Sequence, residues 1–137
     1  ARRFFPALSK RLDYAYEMHW FDYDRIVEIP YASGCFMAIR GTALAETEGF
    51  DERFFMYLED TDLSRRLFAL GRVVFFPEVE VVHAFAKQSY KSRKLMLAHI
   101  KSAFSYFNKW GWLFDSDRKK INDRIQMAIM ASRGREM

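Results

Sequence analysis

The sequence predicts an α/β fold, a mixed sheet with helices packed on it, and three features carry that prediction. Short apolar runs at residues 25–30, in CFMAIR at 35–40 and in RVVFF and EVEVVH within 72–83 read as strands. Amphipathic stretches with helical spacing lie between and after them. Half of the 137 residues are hydrophobic and 18% are aromatic, which is enough for one compact domain with a real core.

Taken in order, the chain opens with an aromatic and basic segment, residues 1–23, containing RRFFPALSKRLDYAYEMHWFDY. It reads as a connector that packs a few aromatics on the surface; a substrate or lipid contact is the other reading. Ala1 is not an initiator methionine, so the chain is expected to begin inside a longer protein. Arg25 opens a short strand that Pro30 closes. Ser33 and Gly34 lead into CFMAIR, and Gly34 lets another backbone or a ligand come close. Thr42 can cap a short helix over residues 43–48, with Gly49 as its stop. Residues 50–57 form a loop or single turn, and Phe50, Phe54, Phe55, Met56 and Tyr57 supply packing there, with one or two free to line a sugar or lipid pocket.

Leu63, Leu67 and Leu70 form the stripe of the next helix, which Gly71 ends by adopting positive φ. RVVFF, a stop at Pro77 and EVEVVH follow as two strands. Residues 89–112 are helical by pattern, with Met96, Ile100, Ala103, Phe104 and Phe107 in one stripe and Lys91, Arg93, Lys94, Lys101 and Lys109 around the rest. The helix either packs this stripe on the sheet with a solvated basic face, or lies on an anionic membrane with Trp110, Trp112 and Phe114 at the interface. Asp115 or Ser116 caps a last helix through Ile121, Ile125, Ala128 and Ile129.

Composition narrows the function classes. The formal charge of +4 and a pI near 9.3 permit contact with phosphates or anionic lipid but do not demand nucleic acid, and no recognition motif appears. No apolar run approaches the roughly 20 residues needed to span a bilayer. No signal peptide is visible at the start, and the single Cys35 fits a reducing compartment, so a cytoplasmic location is expected.

The candidate chemistry lies at Glu59-Asp60-Thr61-Asp62, three carboxylates in four positions at a helix start. Acids in a first turn are favoured by the exposed N–H groups and the helix dipole, and one acid satisfies that need. Three so close repel one another, so part of the group wants a cation or a proton. Capping and proton transfer both remain open on spacing alone. Alternation in EVEVVH puts His83 on one face with Val79 and Val81. It is either a histidine buried at a strand end or a metal ligand, in which case acids nearby suit manganese or magnesium better than zinc.

The runs SGCFMAIR and GFDERFFMYLEDTDLSRRLFALGRVVFFPEVEVVH, followed by SRKLMLAHIKSAFSYFNKWG, closely resemble the C-terminal half of family 2 glycosyltransferases. The resemblance is strongest to the bacterial rhamnosyltransferase type that builds O-antigen, capsule and cell-wall glycans. It covers roughly residues 26–112 and rests on ordered motifs rather than one short match. It implies a GT-A fold, binding of a nucleotide-sugar donor, and an inverting, metal-dependent transfer to a glycan or polyprenyl-linked acceptor. By position, Asp60 matches the general base and Glu59 the acid that supports or contacts the acceptor. His83 matches the histidine that completes the metal site, for Mn or Mg. Gly34 matches the glycine that lets the backbone approach the sugar; Tyr57, from the aromatic loop at 50–57, is the ring expected to meet the substrate. Asp62 and Arg66 match helix positions with a structural role.

The departures from the pattern matter. The family's Asp-x-Asp element, which holds metal and diphosphate, does not precede Tyr31; Asp22-Tyr23-Asp24 has the spelling but lacks the preceding apolar strand. The AFAKQS segment after His83 lacks the glycine often seen there. The expected organisation is a connector at 1–25, an acceptor-side catalytic half at 26–112 and a C-terminal helix at 113–137, inactive alone and prone to self-association. The competing expectation is a non-catalytic basic and aromatic module that binds lipid-linked glycan or the inner face of the cytoplasmic membrane.

Overall fold

The computed structural model describes residues 14, 18, 19, 21, 23–83 and 93–133, with side chains to residue 131. Its elements are β1 (Val27–Glu28), α1 (Gly41–Glu46), α2 (Glu59–Leu70), β2 (Val74–Phe75), α3 (Arg93–Trp110) and α4 (Ser116–Arg133). The described strands form one antiparallel pair, with Val27 opposite Phe75 and Glu28 opposite Val74. The Ile29 N–H donates to the Val73 carbonyl at 3.0 Å and carries the pairing one residue further. This mixture of helix and strand agrees with an α/β reading, on a smaller sheet than the sequence suggests.

The core sits between this strand pair, α2 and α4. Val27 and Val73 contribute from the strand segments, Phe68 from α2 and Ile125 and Ile129 from α4, with Met18 and Phe21 completing the cluster. Ile121, Leu67 and Phe75 pack against its edge. Of the expected α4 stripe, Ile121, Ile125 and Ile129 face this core, whereas Ala128 is exposed. Asp115 caps that helix: its carboxylate accepts the Arg118 N–H at 2.9 Å and its carbonyl accepts the Lys119 N–H at 3.2 Å.

Several elements differ from expectation. CFMAIR and EVEVVH are not strands; among the described residues neither has a ladder partner, and apolar alternation without a partner does not make a strand. The short helix starts at Gly41, after Arg40, so Thr42 lies inside it instead of capping it. It closes in a Schellman-type turn: Glu48 takes φ 57° and the Gly49 N–H donates to the Leu44 carbonyl at 3.0 Å. Gly71 ends α2 with φ 178°, which is extended backbone, so no left-handed conformation is needed there. The left-handed backbone comes instead at the start of α2, where Tyr57 and Leu58 have φ 69° and 66°.

The largest correction concerns α3. Ser102 and Tyr106 are its buried side chains, whereas Met96, Ile100 and Phe104 of the expected core stripe are exposed. The inward face is held by polar bonds. Ser102 Oγ donates to the Met56 carbonyl at 2.7 Å, and Trp110 Nε1 donates to Asp62 Oδ1 at 2.8 Å. Hydrophobic periodicity cannot detect a face that docks through hydroxyls, an indole N–H and a lysine.

Candidate functional site

The three acids of the α2 first turn occupy three different environments. Asp62 is fully buried and its charge is saturated. Arg66 Nε donates to Oδ2 at 2.8 Å, Trp110 Nε1 to Oδ1 at 2.8 Å, and Lys109 Nζ stands 2.6 Å from Oδ1. Its role is structural, as expected, because it ties α2 to α3. Arg66 also reaches the Thr47 carbonyl and so anchors the end of α1 to the same helix.

Glu59 is half-buried, and its Oε2 is buried with no hydrogen-bond partner among the described residues. Burial pushes its carboxyl above the ordinary range; a bond to its own backbone opposes this, and the Asp60 charge adds to it. Glu59 therefore holds a proton more readily than a free glutamate does.

Asp60 reaches out of its helix. Its Oδ2 accepts the Gly34 N–H at 2.9 Å, from a turn 26 residues earlier, and its Oδ1 accepts the Thr61 N–H at 2.7 Å. The residue before the helix, Leu58, provides no side-chain cap, so Asp60 is not a conventional N-cap. Thr61 Oγ1 also reaches Asp60 Oδ1, at 3.4 Å, and since a carboxylate offers about four lone-pair sites, these three bonds leave one for a hydroxyl. The contact at Gly34 is tight: a Cβ there would lie 3.3 Å from Asp60 Cβ. The backbone at Gly34 thus comes close to the carboxylate of Asp60. Nearby, Ala32 N–H donates to the fully buried Ser64 Oγ at 3.0 Å, which fixes the same loop to the next turn of α2.

Tyr57 stands at the mouth of the α2 start. Its ring stacks on His99 of α3, with centroids 4.5 Å apart and planes 23° from parallel. Asp60, Gly34 and the Tyr57 loop thus meet around one end of α2. His83 is exposed and lies beyond β2, and no group of three His, Cys, Asp or Glu side chains suited to a metal ion occurs among the described residues. Asp51 also stands apart from Asp60. Its carboxylate binds Arg53 and Lys109, which hold it far below the ordinary carboxylate range against the opposing effect of burial. Two concavities, of about 540 and 480 Å³, share Thr47, Glu48 and Arg66 in their linings, and neither includes Glu59, Asp60 or Gly34.

Residues that sequence patterning does not reveal supply the support. Arg65 of α2 makes a bidentate pair with Asp115, at 2.6 and 2.9 Å, with both side chains 5% exposed. Its guanidinium lies 4.1 Å from the Trp110 ring centroid and donates to Tyr106 Oη at 3.2 Å. One arginine therefore clamps α2, α3 and the cap of α4 together. Distances of 41 and 50 residues separate the partners, so no local pattern betrays them.

Comparison with known proteins places this arrangement in context. The chain is 38% identical over 80 residues to the N-acetylglucosaminyl-diphospho-decaprenol L-rhamnosyltransferase of Mycobacterium tuberculosis, a match covering 57% of this chain and 26% of that protein. It is 35% identical over 81 residues to the rhamnosyltransferase WbbL of Escherichia coli K12, covering 57% of this chain and 30% of that protein. The expected resemblance to rhamnosyltransferases is shown over this part of the chain. The chain spans less than a third of the length of these curated relatives. No protein-family model matches the chain, and no solved structure matches it.

Proposed function

We propose that this chain is the acceptor-side part of an inverting glycosyltransferase of GT-A type, with Asp60 as its general base. The observation that carries this reading is the similarity to two rhamnosyltransferases. The position of Asp60 supports the assignment: its carboxylate projects from the helix start onto the backbone of a second loop and keeps a lone pair free.

In this reading the Asp60 carboxylate takes the proton of an acceptor hydroxyl. That oxygen attacks the anomeric carbon of a nucleotide-sugar, and the nucleoside diphosphate departs from the opposite face. A sugar hydroxyl is a poor nucleophile near neutral pH, and a positioned base contributes about 10²- to 10⁴-fold. Glu59, the neighbouring acid of the same turn, supports or contacts the acceptor. Tyr57 offers an aromatic face for a sugar ring. The name of the M. tuberculosis relative points to L-rhamnose as the donor sugar and a diphospho-polyprenol as the acceptor carrier. The setting proposed for this transfer is O-antigen or cell-wall polysaccharide synthesis at the inner face of the cytoplasmic membrane.

A divalent ion, Mn or Mg, belongs to the proposal but not to the described residues alone, which do not converge on a metal-holding group. His83 would supply one ligand, and the others would come from a donor-binding half. The decisive test uses Asp60→Asn with that half supplied. Transfer is expected to fall by about 10²-fold or more, with donor binding unchanged. Transfer within a few-fold of the parent would remove Asp60 as base.

A further inference from the structure

The outward face of α3 is the reverse of a water-facing helix. Such a helix turns polar residues to solvent and apolar ones inward. Here Ser102 and Tyr106 point inward, while Met96, Leu97, Ile100 and Phe104 are exposed, Leu97 at 61%. The turn after the helix extends the surface. Gly111 takes φ 106°, and Trp112 folds back with its ring edge-on to Phe104 at 5.1 Å, leaving Leu113 and Phe114 83% and 94% exposed.

Charge says what covers this face. Residues 81–114 contain no Asp or Glu, whereas Lys87, Lys91, Arg93, Lys94, Lys101 and Lys109 all lie within them. Lys109 is committed to Asp51 and Asp62, but Arg93, Lys94 and Lys101 are exposed on the helix that carries the apolar row. Apolar and aromatic side chains flanked by unopposed cations match an anionic bilayer: the rings enter the headgroup boundary and the lysines meet lipid phosphates. The row is one face of a helix, and no described helix is long and apolar enough to cross a membrane.

We propose that the outer face of α3 and the turn at Trp112–Phe114 dock this protein in the plane of an anionic lipid bilayer. The opposite face of the same helix carries His99 against Tyr57 and Ser102 against the Met56 carbonyl. The bilayer surface then lies about one helix diameter, roughly 10–12 Å, from the loop that leads to Asp60. This deepens the proposed function and rests on it for its purpose, bringing the site to an acceptor carried on lipid. The docking itself is testable without transfer.

The 137-residue chain is sedimented with vesicles of phosphatidylcholine alone and of phosphatidylcholine with phosphatidylglycerol. Preferential binding to the anionic vesicles is expected, weakened but not abolished by high salt, because the apolar contact survives screening. Lys94→Gln with Lys101→Gln should lower partition by roughly thirtyfold, at about fivefold per cation near the surface. Leu97→Glu with Phe104→Glu should abolish binding while the circular dichroism spectrum is kept, and Phe114→Ser, in the exposed turn, provides an independent apolar variant. Asp60→Asn should bind vesicles like the parent, so loss of the catalytic assignment and loss of docking are read separately. The proposal is overturned if the parent binds neither vesicle, if the apolar variants bind as it does, or if Leu97→Glu with Phe104→Glu converts a self-associated chain to monomer without altering vesicle binding.

Discussion

At the scale of single residues, the pairing of Gly34 with Asp60 is the contact on which the site turns. A methyl group at position 34 would sit 3.3 Å from Asp60 Cβ and 3.5 Å from Oδ2. The nearest atom, Asp60 Cβ, is fixed to the helix backbone, so the Gly34 turn or the start of α2 would have to yield by a few tenths of an ångström. Gly34→Ala should therefore lower transfer about tenfold or more, because small misplacement of a reacting group is costly. Equal activity of the variant and the parent would separate Gly34 from the chemistry. The division of labour among the acids is also a matter of single side chains. Asp62 is paired with Arg66 and Lys109 and accepts a hydrogen bond from Trp110, which leaves Glu59 and Asp60 as the pair whose charges interact. The EDTD spelling announces acids in a first turn but does not say which one is buried, because the deciding partners lie on α3.

At the scale of elements, the helices were legible and the strands mostly were not. Three of the four described helices follow their apolar or capping signals closely: α1 near its Gly49 stop, α2 from Glu59 to Leu70, and α4 from its Asp115 cap. Helical hydrogen bonds are made within the segment, so the segment's own residues report them. A strand depends on a partner elsewhere, and only Val27–Glu28 and Val74–Phe75 found one among the described residues. The third helix was legible in position but reversed in orientation, since its docking face is polar. Arg65 touches Tyr106 and Trp110 of that helix and pairs with Asp115, and both ends of the pair are nearly inaccessible to water. Asp115→Ala leaves a buried guanidinium without its countercharge and removes the α4 cap. A loss of about 3–5 kcal/mol is expected in urea unfolding. A loss below about 1 kcal/mol would mean that Tyr106 and Trp110 suffice to hold Arg65.

At the scale of the whole molecule, ion pairs make stability dependent on acid. Hydrogen bonds from Arg65 hold Asp115 below its ordinary value, and those from Arg53 and Lys109 do the same for Asp51. Burial pushes Glu28 upward, but Arg124 and Arg72 outweigh it and the net shift is down. A carboxylate with a depressed folded value contributes stability that is fully present above its unfolded value, near 4 for Asp and Glu. That stability is lost as pH falls through the folded value. Glu59, shifted upward, acts in the opposite sense and loses stability as pH rises through its raised value. With three depressed groups against one raised group, the urea midpoint should be steady near neutrality and decline steadily below about pH 4. A midpoint unchanged between pH 6 and pH 3, values on either side of that threshold, would show that these pairs do not govern folding.

The left-handed turn at Tyr57 and Leu58 restricts how this stretch can drift in sequence. Each non-glycine residue in that backbone region costs about 1–2 kcal/mol, and a β-branched side chain there is disfavoured further. Glycine and asparagine are the substitutions such a bend admits readily, and valine, isoleucine and threonine are the ones it resists. Random change at these two positions is thus channelled toward small, flexible or amide residues, and the aromatic ring that meets His99 persists only against that current.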